Sequence, residues 1–196
     1  MKKYFKFSAI IAGLLVLALG SCKKKNAVTD EYKNVSGHYF SVGQFALDEW
    51  NTFAGEPFVI VKSVRVNDGK ADSSYTNSDT INWAPIIHTF METDISDRKL
   101  LGKYKFTQFE DNNDETHNFF YEAVDEDLFT QKLLITIDQY TRKVRGIYIE
   151  TMKNTAWSEK IQKLYYSPLR TIQIITDERP RLGSKKLTVV EYDFMR

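Results

Sequence analysis

The spacing of apolar residues along the chain changes character several times, and each change marks an element. Residues 7–18 form a short, nearly unbroken apolar run behind Lys2, Lys3 and Lys6. Over residues 41–54 the apolar positions Val42, Phe45, Ala46, Trp50, Phe53 and Ala54 recur at i, i+3, i+4, which predicts a short helix ended by Gly55 and Pro57. Residues 58–66 are β-branched and alternate as a strand. Asn67-Asp68-Gly69 then supplies the positive-φ residues that a tight hairpin turn needs, and a weaker polar strand is expected over 70–76. A second helix is predicted over 82–95 from Trp83, Ile86, Ile87, Phe90 and Met91, with Pro85 tolerated because the first turn has no N–H bond to lose. From there to the C-terminus the period is two, predicting strands near 101–109, 117–124, 131–138, 144–152, 159–167, 170–177 and 186–194.

These elements assemble into one fold class. Two short helices covering one face of a mainly antiparallel, meander-rich β-sheet make an α+β domain. The clearest alternation sets Leu133, Ile135 and Ile137 on one face, with Lys132, Thr136 and Asp138 mostly on the other; residues 140–143 join that strand to the next. The order helix, hairpin, helix, hairpin suggests a repeated αββ unit, similar in shape only to small exported inhibitor and binding domains.

The N-terminal run has a different meaning. A basic start followed by about a dozen apolar residues is the order of a secretory signal, and it is too short for the roughly 20 residues that cross a bilayer. Leu19-Gly20-Ser21-Cys22 resembles a lipobox, where bacterial signal peptidase II cuts before a diacylated cysteine. Cys22 is the one cysteine of the chain, and lipidation accounts for it where an exported protein would otherwise carry an unpaired thiol. Two or more acyl chains anchor stably where one does not. Together with Lys23, Lys24 and Lys25, the junction resembles lipoproteins of the Bacteroidota. In that group surface export goes with acidic residues directly after the cysteine. Three lysines stand there instead, which implies the periplasmic face of the outer membrane rather than the cell surface. The expected organisation is a signal peptide over 1–21, a lipidated Cys22 with a flexible tether over 22–36, and a single domain over 37–196.

Removing residues 1–21 takes away three of the 27 Lys+Arg and none of the 26 Asp+Glu, leaving a net charge of about −2. No basic field remains to hold nucleic acid. The lysines of the tether read equally as a solvated linker or as a contact with anionic headgroups, where each charge near the surface would be worth about 1 kcal/mol. An aromatic content of 14% is enough to build a core without disulfides.

Catalytic patterns are sparse. No nucleophile elbow, phosphate loop or dinucleotide fingerprint occurs, so no catalytic residue and no cofactor is assigned and the chain is not read as an enzyme. His88 and Glu92, four apart on the second helix, are too few ligands for zinc and read as a surface pair. In the polar run Glu110-Asp-Asn-Asn-Asp-Glu115, the oxygens of Asp111, Asn113 and Glu115 resemble the start of a calcium loop. That loop's glycine at the sixth place and glutamate at the twelfth are missing, so a solvated hairpin turn is expected. The acidic run 125–127 would strengthen a calcium site only if the two turns adjoined.

Rings concentrate at Tyr104, Phe106, Phe109, Phe119, Phe120, Tyr121, Tyr165 and Tyr166. An exposed ring surface would mark a partner or ligand. The leading expectation is a non-enzymatic, membrane-anchored binding or interaction module whose aromatic strip or acidic hairpin tip contacts an envelope protein, a glycan or another envelope component; a hydrophobic ligand belongs to the alternative. The alternative is a carrier with a greasy cavity, as in half-barrel lipoprotein carriers, and a hydrolase comes third. A filled core separates the first from the second, and a pocket joining a histidine to a carboxylate would mark the third.

Overall fold

The computed structural model describes residues 39–195. The signal segment, Cys22 and the tether lie outside the described residues. Residues 35–196 cluster as one compact unit. Among the described residues no helix is long and apolar enough to cross a membrane.

Helix α1 spans Val42–Phe53 and is followed by the hairpin β1 (Val59–Val66) and β2 (Asp72–Asn77). A single 3-10 turn over Ser78–Thr80 leads to helix α2 (Ala84–Met91), and a second such turn covers Arg98–Leu100. Seven strands follow as a meander: β3 (Tyr104–Asp111), β4 (Thr116–Ala123), β5 (Thr130–Asp138), β6 (Val144–Asn154), β7 (Ser158–Ser167), β8 (Thr171–Pro180) and β9 (Lys186–Met195). All pairings are antiparallel in one nine-stranded open sheet of order β2-β1-β9-β8-β7-β6-β5-β4-β3.

The α+β class therefore stands, with more sheet than helix. α2 is shorter than its apolar pattern suggested, because Glu92 closes it and Thr93 and Ile95 turn inward as buried loop residues. The element order αββαββ is present, but the two hairpins sit at opposite ends of the sheet. β1 is the inner strand of the first, whereas β3 is the edge strand of the second. In the first hairpin turn, Asn67 takes the positive φ (52°). Gly69 is needed for space, since a Cβ there would lie 3.0 Å from the Val66 carbonyl oxygen.

The period-two pattern fixes which residues face the helices. Cross-strand neighbours share a face. The register Leu133↔Ile149, Ile149↔Leu164, Leu164↔Ile174 and the adjacent row Ile135↔Ile147, Ile147↔Tyr166, Tyr166↔Ile172 carry one apolar surface across the four strands β5–β8. Leu133, Ile135, Ile147, Ile149 and Leu164 are fully or almost fully buried. The opposite face is polar: Glu150 on β6 lies 3.4 Å from Lys132 on β5 and 3.8 Å from Lys163 on β7, and it accepts a hydrogen bond from Tyr148.

At the β3–β5 end the inner face is closed by the segment before β3. Tyr39 packs edge-on against Tyr104 and Tyr121 at 5.9 and 5.5 Å. The Tyr104 hydroxyl donates to Thr130 O, and the Thr130 hydroxyl donates to Thr93 O. Burial pushes the Tyr104 phenol up to about 12, with Tyr39 adding to the shift. These hydroxyls are satisfied inside a half of the core where Tyr39, Tyr104, Tyr121 and Leu133 are all buried.

Candidate functional site

The other half of the inner face is not filled. Between α1, α2 and strands β6–β9 lies an apolar cavity of about 320 Å³. Its floor is Ile147, Tyr166, Ile172 and Phe194, one residue from each of four adjacent strands. Its walls are the apolar stripes of the helices: Val42, Phe45, Ala46, Trp50 and Phe53 from α1, and Ile86, Ile87 and Phe90 from α2. The stripe on α1 faces the sheet, as its spacing implies, but spans a void instead of closing a packed core. Large rings hold the helices off the sheet. Phe45 and Phe90 meet Tyr166 edge-on at 5.8 and 6.2 Å, and Trp83 stacks on Phe194 at 6.2 Å.

The rim lies at the C-terminal end of α1. Trp50 packs on Trp83 at 6.4 Å yet stays 37% exposed. The rim is pinned by buried Ser78, whose hydroxyl donates to Glu56 O and accepts from Phe58 N, while Trp83 Nε1 donates to Ser78 O. At the other end, α1 is tied to the chain after α2. Ser41 caps the helix, accepting from Gln44 N at 3.0 Å. Asp94 reinforces that end: its carboxylate accepts from the Ser41 hydroxyl (2.6 Å), Gly43 N (2.9 Å) and Ser96 N (2.8 Å). Burial works against this carboxylate, but the hydrogen bonds from Ser41, Ser96 and Gly43 outweigh it and hold its pKa below the ordinary value.

One polar pair lines the cavity itself. The Tyr166 hydroxyl donates to Glu49 Oε2 at 2.5 Å, joining the β7 floor to the α1 wall. Burial, and then the bond to Glu49, push the Tyr166 phenol far above its usual range, so it remains a donor at any physiological pH. Among the described residues, Glu49, Glu56 and Asp79 are the charged members of the lining, and none of its members is a lysine, arginine or histidine.

The residues singled out from sequence lie elsewhere. Asp111 accepts from Asn113 N and Asp114 N within its own turn, and Glu115, at φ 54°, accepts from the Tyr140 hydroxyl. The acidic run 125–127 lies at the other end of β4, eight residues away, so the two acidic turns do not adjoin. Among the described residues no three His, Cys, Asp or Glu side chains converge as a metal site would require. His88 and Glu92 stand 3.7 Å apart, both more than half exposed. His117 is buried on the inner face with Nδ1 3.2 Å from Glu110 Oε1, without hydrogen-bond alignment at either ring nitrogen. Neither histidine lines the cavity. The aromatic run 119–121 divides as alternation requires: Tyr121 is buried, and Phe119 stacks on Phe106 at 6.1 Å on the inner face. Phe120 points to the outer face, opposite Thr107 and Leu134.

What the sequence reading missed is Glu49. In the sequence it is one polar residue beside the α1 stripe, and only the pairing with Tyr166, 117 residues away, places it at the cavity.

No protein-family model matches the chain, and no curated protein matches it. Among solved structures it is similar to a LolA superfamily protein from Nitrosomonas europaea, with 11% identity and a TM-score of 0.27, covering 81% of this chain and 94% of that one. A likeness that slight carries no argument for function.

Proposed function

We propose that the protein is an envelope lipoprotein whose domain binds a small apolar molecule, or the apolar part of an amphiphile, between its helices and its sheet. The supporting observation is the cavity. Its floor and walls are almost wholly aliphatic and aromatic, it opens at the Trp50 rim, and its about 320 Å³ lies within the range of ligand pockets. An enclosed apolar cavity of about 150 Å³ stays dry and admits benzene, so this one has room for a two-ring system or a short alkyl chain. The transfer of each methylene into such a site contributes about 0.8 kcal/mol. The reading favours the carrier over the interaction module, because a packed module would have filled the space under α1.

Acylation of Cys22 would hold this domain at the membrane, within reach of hydrophobic cargo. Binding needs no chemistry from the protein, consistent with a lining that brings no histidine to a carboxylate.

The test uses residues 35–196, the compact unit that carries both helices, the sheet and the core. Trp50 and Trp83 line the cavity, whereas Trp157 is 76% exposed on the β6–β7 turn. With Trp157→Phe as background, titration with decanol or the uncharged probe N-phenyl-1-naphthylamine should blue-shift the remaining tryptophan emission saturably. Ala46→Phe, which fills the cavity from α1, should abolish the shift while the circular dichroism spectrum is kept. Absence of saturable binding, or binding indifferent to Ala46→Phe, refutes the proposal.

A further inference from the structure

We infer that the cavity discriminates by the charge of the ligand's head, accepting amphiphiles with a hydroxyl or ammonium group and rejecting carboxylates and other anions. The inference rests on the cavity being a ligand site, and it concerns which ligands that site takes.

Among the described residues three carboxylates and no cation border the cavity: Glu49 within, and Glu56 and Asp79 exposed at the rim. Rim and interior therefore present one sign of charge against a low-dielectric wall, the arrangement that focuses a field. An anionic head drawn in behind an alkyl chain would lose water and meet only like charge, which is unfavourable on both counts. A fatty-acid head is held most strongly by a guanidinium or ammonium group at hydrogen-bonding reach, and the described lining supplies none.

Glu49 is the specificity-determining residue. It spends one oxygen on Tyr166, and an ionised carboxylate has two oxygens and about four acceptor sites. The remaining capacity, on a side chain that lines the cavity, suits a donor: an alcohol O–H or an ammonium N–H. Tyr166 acts as the positioning residue. Its hydroxyl has its proton committed to Glu49, so the carboxylate is oriented from the floor instead of swinging to solvent.

The experiment compares decanol, decylammonium and decanoate, all below their micellar concentrations, on the Trp157→Phe form of residues 35–196 at pH 7. The alkyl part is constant, so differences report the head. Decylammonium should bind at least about tenfold tighter than decanoate, the scale of one like-charge contact at intermediate dielectric, with decanol between them. Ala46→Phe should remove binding of all three, which separates cavity binding from adsorption of a cation to surface acids. Glu49→Gln, which keeps an acceptor for Tyr166, should weaken decylammonium and strengthen decanoate. Adding Glu56→Gln and Asp79→Asn should bring the two to within about threefold, a residual well under one charge contact. Equal affinity for the three heads in the wild-type cavity overturns the charge selection and leaves the cavity reading standing. Preference undiminished in the triple variant also overturns it. If none of the three binds, the cavity reading falls, and this inference with it.

Discussion

Helix α1 forms the lid of the cavity, and its attachment through Asp94 can be tested by a substitution that would ordinarily stabilise a helix. Gly43 is the second residue of α1. Replacing a helical glycine with alanine usually gains up to about 1 kcal/mol, because glycine loses more backbone freedom on folding. Here an added Cβ would stand 2.7 Å from Asp94 Oδ2, closer than such atoms approach. Either the helix end or the carboxylate has to move. Moving the carboxylate forfeits its bonds from the Ser41 hydroxyl and Gly43 N. A hydrogen bond to a charged group is worth about 1.5–3 kcal/mol, and a carboxylate at a helix N-terminus about 0.3–2 kcal/mol. The contributions overlap, so Asp94→Ala should cost about 2–4 kcal/mol. Gly43→Ala should cost about 1–2 kcal/mol net, the bond loss exceeding the propensity gain.

The decisive comparison is a double-mutant cycle by urea unfolding of residues 35–196. In the Asp94→Ala background the obstruction is gone, and Gly43→Ala should turn stabilising. If Gly43→Ala is neutral or stabilising in the wild-type background, or has the same effect in both, the clamp contributes little and α1 is held by its apolar stripe alone. The pH dependence gives an independent check. Asp94 has a depressed pKa when folded, so its contribution is complete above its ordinary value of 3.8 and is lost as pH falls through the folded value. The stability gap between wild type and Asp94→Asn should therefore be constant from pH 7 to about 5 and should narrow below 3.8.

Cys22→Ala should release the full chain from membranes in cell fractionation; retention with an unmodified mature N-terminus refutes acylation. The acidic hairpin tip should show no calcium affinity near the roughly 10⁻⁷ M of tight sensor sites, since Asp111 already caps its own turn; calorimetric binding below a micromolar, lost in Asp111→Ala and Asp114→Ala, would overturn this. Trp50→Ala should lower stability by only about 1–2 kcal/mol, less than the about 3–5 kcal/mol typical of a fully buried tryptophan, because it stands 37% exposed at the cavity rim. A loss in thermal unfolding as large as that of a core truncation would mean that the rim is closed in solution.

The local structure was legible because its causes are local. Period two over 101–194 placed seven strands to within a few residues of where they lie, since alternation and turn residues suffice to define a half-buried antiparallel strand. The α1 stripe likewise announced its own length and its apolar face. Three features had no local cause. The return of β9 to pair with β1 joins segments more than 120 residues apart, and no pattern within either strand names its partner. The shortening of α2 reflects the burial of Thr93 and Ile95 in the connection to β3, where Thr93 O accepts from the Thr130 hydroxyl. The cavity depends on how far bulky rings on α1, α2, β7 and β9 prop the helices from the sheet. A stripe of Val42, Phe45, Ala46, Trp50 and Phe53 reads the same whether the space opposite it is filled or empty. Hydrophobic spacing specifies which residues leave water, whereas volume is settled only when side chains from distant strands meet, and so only the tertiary structure decided that this face leaves a cavity.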